Sequence, residues 1–131
     1  MSSLKVDNIT GRGSTGFTGS VKSEGGSTTT DLQQGLAKAW ANYPASGTTF
    51  NDSFNASGAV DNGTGNYTIS YTNNFSNANN TPQMSSTDVT EVGAESQADI
   101  TASSVKVRTH NSEGSVRDRD YVGLTVFGDL A

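Results

Sequence analysis

Apolar side chains recur at every second position in several stretches of this chain, and those stretches predict its architecture. In 66–72, Tyr67, Ile69 and Tyr71 face one way and Thr68, Ser70 and Thr72 the other, the pattern of a strand with one face in a core and one in water. The run 56–60 precedes it across Asp61-Asn-Gly-Thr-Gly65, and a Gly-rich Asx loop between two such runs predicts a β-hairpin. Near the end, Val122, Leu124 and Val126 alternate with Tyr121, Gly123, Thr125 and Phe127, so both faces carry apolar groups, as in a strand covered on both sides.

The remaining stretches fill in around these. Pro44 and Ala45-Ser-Gly47 read as a turn. In 48–55, Phe50, Asp52 and Phe54 share a side under strict alternation; an Asp between two aromatics implies either a bulge or a capping role for Asp52. The stretch 73–82 is Asn-rich and irregular, and 84–92 reads as a weak strand. In 98–107, Ile100 and the pair Val105 and Val107 require an irregularity at 102–104 to reconcile their phases. A second turn at 110–114 leads into 116–127, expected as the longest strand. Several short strands with turns between them spell an antiparallel sandwich, with Trp40, Phe54, Tyr67, Ile69, Val122, Leu124 and Val126 as its core.

Before residue 35 the pattern fades. Leu4, Val6 and Ile9 suit an extended segment with one sticky face, and Gly13, Gly16 and Gly19 follow the collagen spacing, though three glycines without proline hold no triple helix. Residues 23–30 have linker composition, and Asp31 could N-cap one turn of helix. The chain thus divides into an arm, 1–34, and a head, 35–131.

Composition sharpens this picture. With 31% hydrophobic residues and 131 in all, a single core would be thin, and no Cys is present to staple it. Oligomerisation is the expected remedy. A formal charge of −5 with eight Lys and Arg speaks against nucleic-acid binding. No apolar run approaches the ~20 residues of a spanning helix, and the start shows no apolar signal stretch, so cytoplasmic synthesis without membrane insertion is expected.

Three short motifs in order, Gly-Leu-Ala-Lys-Ala-Trp40, Asp52-Ser-Phe-Asn55 and Asp61-Asn-Gly-Thr-Gly-Asn-Tyr-Thr68, resemble the small all-β module of virion appendage proteins in marine and cyanobacterial tailed phages. The resemblance covers roughly 38–131 and implies a strand from Ala37 that carries Trp40 and leads into Pro44. It implies a jelly-roll-like sandwich in a tail fibre, head-fibre or decoration protein, a homotrimer built into virions in the host cytoplasm. The arm would anchor it to other virion proteins through Leu4, Val6, Ile9 and Phe17. Copies would meet through Tyr121, Thr125 and Phe127, on the second face of the last strand.

Candidate chemistry is sparse. His110, the only His, builds neither a triad nor a metal site alone. Asp61-Asn-Gly-Thr-Gly-Asn66 offers oxygen ligands, but turn chemistry accounts for the same letters without an ion. Asp118 and Asp120 could lie within glycosidase reach on one strand face, yet Arg117 and Arg119 alternate with them, which predicts an exposed, ion-paired face. A non-enzyme without cofactor or metal is expected. The competing reading is a receptor- or glycan-binding module for host attachment, with Asn62, Thr64, Asn74, Asn77, His110 and Asn111 on its loops supplying hydrogen bonds.

Overall fold

A computed structural model describes residues 20–22, 29–31, 35–44, 49–87 and 91–131. The chain divides into two compact units, Met1–Leu36 and Ala37–Ala131. In the first, β1 (Ser20–Lys22) pairs antiparallel with β2 (Thr29–Asp31), Val21 opposite Thr30. Thr29 and Thr30 are therefore strand residues rather than linker, and Asp31 sits in β2 rather than capping a helix. The anchoring residues Leu4, Val6, Ile9 and Phe17 lie outside the described residues, as does the 45–47 turn.

The second unit is all β. Its strands are β3 (Ala39–Tyr43), β4 (Asp52–Phe54), β5 (Ala56–Asp61), β6 (Asn66–Tyr71), β7 (Thr81–Ser86), β8 (Val92–Gly93), β9 (Ser104–Thr109) and β10 (Val122–Phe127). They form two four-stranded antiparallel sheets, β4-β3-β10-β7 and β5-β6-β9-β8. The inner faces meet in one core: Ala39, Ala41, Tyr43, Val122, Leu124 and Val126 from the first, Tyr67, Ile69, Tyr71, Val105 and Val107 from the second, with Phe75 closing one end. This is the antiparallel sandwich that the alternation predicts. Edge-on ring contacts link Tyr43 to Tyr67 at 5.5 Å across the sheets and Tyr71 to Phe75 at 4.9 Å.

Strand parity corrects the expected core. β3 turns Ala39, Ala41 and Tyr43 inward, so Trp40 and Asn42 must face outward. Tyr43 decides the phase: its ring sits between Phe50 at 6.0 Å and Tyr67. Trp40 is left 36% exposed, and Phe54, opposite it on β4, 53% exposed. Phe50 packs on the core from just before β4, while Asp52 lies exposed on that strand.

Asn55 makes the corner where the chain leaves one sheet for the other. It has a φ of 54°, a left-handed conformation that Asn tolerates better than most residues. Its Nδ2 donates to the carbonyls of Lys38 (2.9 Å) and Asn73 (3.1 Å), and its Oδ1 accepts from Asn73 N–H (2.7 Å). A bulge between Ala56 and Gly58 follows at once.

Two other expectations change. The strand expected over 84–92 is split into β7, which starts earlier at Thr81, and the short β8. Pro82 is accommodated because β7 is an edge strand. Nor is 116–127 one strand: only Val122–Phe127 is, and β10 pairs with β3 and β7 rather than with β9. The polar residues 117–120 carry the chain from one sheet to the other.

Candidate functional site

The six expected loop residues separate. β6 runs antiparallel to β9, with Asn66 opposite Arg108 and Ser70 opposite Ser104. The 61–65 turn and the 110–116 segment thus share one end of the sandwich, bringing Asn62, Thr64, His110 and Asn111 together. Asn74 and Asn77 follow the far end of β6, where Phe75 N–H donates to the carbonyl of Ala102. No single loop surface holds all six.

At the first end, side chains are spent on the turns themselves. Asp61 Oδ1 accepts from Gly63 N–H at 2.8 Å and Asn62 Nδ2 donates to Thr68 Oγ1 at 2.9 Å, with Gly63 and Gly65 at φ of 109° and 63°. Asn111 Oδ1 likewise accepts from Glu113 N–H (3.0 Å) and Ser115 N–H (2.8 Å). These are the Asx turns expected from the sequence.

Asp118 fastens the two loops. It accepts from Gly65 N–H at 2.7 Å and from the Tyr67 hydroxyl at 2.9 Å. Thr109 adds a second tie: its N–H donates to the carbonyl of Gly65, its hydroxyl to the carbonyl of Arg117, and its own carbonyl accepts from Arg117 N–H. Asp118 is therefore a loop tie and not part of an ion-paired strand face; Arg119 donates through Nη2 to the carbonyl of His110. Ion pairs form elsewhere, between Lys106 and Asp99 at 3.2 Å and between Arg108 and Glu95 at 3.3 Å.

Burial pushes the Tyr67 hydroxyl up to about 12, with the hydrogen bond to Asp118 and that carboxylate's charge adding to the effect. Burial, with the charge of Asp61, also raises Tyr43, and burial raises Tyr71 well beyond the ordinary phenol. All three phenols are held neutral by the fold. Asp99 moves the other way: burial opposes its ionisation, but the Lys106 ammonium and hydrogen bonds from Ser96 hold its carboxyl below the usual range. His110 lines a shallow depression of ≈ 580 Å³ with Glu91, Glu95 and Arg108. Among the described residues no group of His, Asp and Glu is placed to hold a metal ion.

The outward face of the β4-β3-β10-β7 sheet carries the more constructed site, which sequence reasoning missed. Register puts Phe54, Trp40, Thr125 and Gln83 in one row and Asp52, Asn42, Gly123 and Ser85 in the next. Tyr121 folds back over Gly123, so that a Cβ built there would run into the hydroxyls of Tyr121 and Ser85. Beside this covered glycine lies a groove of ≈ 410 Å³ lined by the side chains of Trp40, Asn42, Gln83, Ser85, Tyr121 and Thr125. Tyr121 and Thr125, expected at an oligomer contact, line this groove. Neither Tyr121 nor Phe127 stands among the exposed large apolar side chains, whereas Phe54 and Val60, on the sheet-edge strands β4 and β5, do. Alternation alone would have found the face; only the pairing of β10 between β3 and β7 assembles the groove.

No family model, curated protein or solved structure matches this chain.

Proposed function

We propose that the protein is a structural component of a tailed-phage virion: a short fibre or capsid-surface protein of the decoration or head-fibre type, assembled in the host cytoplasm. In this reading it is not an enzyme. The N-terminal residues 1–34 attach it to a capsid or tail protein, and the sandwich projects from that attachment.

The observation that carries the reading is what the carboxylates do. Asp61 and Asp118, the residues with the best claims to metal or acid–base chemistry, act as acceptors that fasten loops. Together with the Asn55 corner they make a polar scaffold tied by hydrogen bonds around a thin core, which suits a mechanical role. The order of the three motifs around Trp40, Asp52 and Asp61 supports the virion assignment.

The thin core also supports self-association, and three copies is the number that the appendage resemblance implies. Phe54 and Val60, exposed on the edge strands β4 and β5, offer apolar area and the open side of a strand to a second copy, a better contact than the expected Tyr121, Thr125 and Phe127. Deleting residues 1–34 tests the attachment. The head should still fold and melt cooperatively while losing all association with particles; a truncated head that still binds particles overturns the role given to the arm.

A further inference from the structure

We propose that the groove beside Gly123 binds a neutral carbohydrate, an activity that does not depend on the virion reading and lies away from the loops where sequence placed a receptor site. The lining comes first. Its side chains are Trp40, Asn42, Gln83, Ser85, Tyr121 and Thr125, with no carboxylate, ammonium, guanidinium or imidazole among them. The exposed carboxylate of Asp52, opposite Asn42 on the edge strand β4, lies outside this lining and disfavours anions, and the lining itself gives phosphates and carboxylates nothing to offset their lost hydration.

The polar groups present are amides and hydroxyls, a set that both donates and accepts; Asn42 Oδ1 already accepts from Asn51 Nδ2 at 3.0 Å, so its Nδ2 is the group it offers. Their natural counterpart is a ligand whose own groups do both at once, as sugar hydroxyls do. Apolar ligands would leave the Asn42 and Gln83 amides and the Ser85 and Tyr121 hydroxyls poorly matched. Trp40 adds the other requirement of saccharide recognition: a partly exposed aromatic surface against which the C–H face of a sugar ring can lie.

The geometry is fixed by the sheet. The lining rows cross three hydrogen-bonded strands, β3, β10 and β7, so at ~4.8 Å per strand the groove is about 10 Å wide, room for a short oligosaccharide. The missing side chain at Gly123 lets the Tyr121 ring lie back against the sheet, so that the Tyr121 and Ser85 hydroxyls converge over it and form one wall of the groove. A ≈ 410 Å³ recess with one aromatic wall and a few convergent polar groups has the build of a small-ligand site.

The test is an array of neutral and acidic glycans probed with the full-length protein, followed by titration calorimetry of the best neutral oligosaccharide at low and high salt. Expected are saturable binding insensitive to salt, a loss of at least about tenfold in affinity for Trp40→Ala and for Gln83→Ala, and no change for the loop variant Asn74→Ala. Gln83 is exposed on an edge strand, so its variant decides should Trp40→Ala fail to fold. The proposal is overturned by absence of neutral-glycan binding, by binding of acidic glycans alone, or by binding that survives Gln83→Ala. It is also overturned if Trp40→Ala changes the oligomeric mass and not the glycan affinity, which would make the face a contact between copies.

Discussion

The Asp118 carboxylate accepts a hydrogen bond of 2.9 Å from the hydroxyl of Tyr67, a residue in the strand at the heart of the opposite loop's hairpin. Asp118 also holds Gly65 N–H, so one exposed side chain joins the loop that enters β10 to the turn that opens β6. Replacing it with Ala leaves the buried Tyr67 hydroxyl and the Gly65 amide without this acceptor. The expected loss is ~1–3 kcal/mol in urea unfolding, with Asp118→Asn intermediate. A variant as stable as the parent would show that water replaces the tie.

Alkaline unfolding follows from the burial of the same hydroxyl, to which the Asp118 contact adds. The folded Tyr67 hydroxyl titrates near 12 against an ordinary value of 10.0, and the raised value means that the protonated phenol is favoured by folding. Its contribution is therefore complete below pH 10 and is lost as the pH rises from about 10 to about 12. Spectroscopic titration should show tyrosine ionisation coinciding with loss of structure in that window, and Tyr67→Phe should soften the transition.

The acid side has the opposite sign. Asp99 has a lowered folded pKa, so the stability it contributes is present above the unfolded value and is lost as the pH falls through the folded one. Its partner Lys106 is half exposed, which limits the pair to ~0.2–1 kcal/mol. Asp99→Asn should flatten the acid limb of a stability–pH profile by that small amount.

Tyr71 carries a buried hydroxyl with no hydrogen-bond partner among the described residues. Its ring packs on Phe75, so Tyr71→Phe keeps the packing and removes an uncompensated polar atom. The variant should be more stable by about 1 kcal/mol, a gain visible as a higher melting temperature.

Two glycines of one loop should behave differently. A Cβ on Gly65 would lie 2.6 Å from the Thr109 carbonyl oxygen and 2.8 Å from Arg117 N, at a φ of 63°. Gly63 also has positive φ but open space around it. Gly63→Ala should cost the ~1–3 kcal/mol of backbone strain, and Gly65→Ala more than that. Equal effects would refute the close approach of the two loops.

How much of this was legible follows from what alternation can and cannot encode. The β5–β6 hairpin and the inward faces of β6 and β10 were readable because a period of two and a Gly-rich Asx turn are local signals, and Leu124→Ala should cost ~2–5 kcal/mol as expected of a residue 3% exposed. Trp40 misled because size suggested burial, while its phase was fixed by Tyr43, whose cross-sheet partner Tyr67 is distant in sequence. Asp118 and the Gly123 groove were not readable at all. Both depend on 117–121 leaving one sheet and joining the other between β3 and β7, a choice that no local pattern records.

Quantitative mass spectrometry of gradient-purified virions decides whether this chain is a component of the particle. Peptides of this chain should co-sediment with the particle, at a fixed ratio to the capsid protein that corresponds to a multiple of three copies per particle. Recovery of the chain only in the soluble fraction, with none in the particle, would contradict the virion assignment.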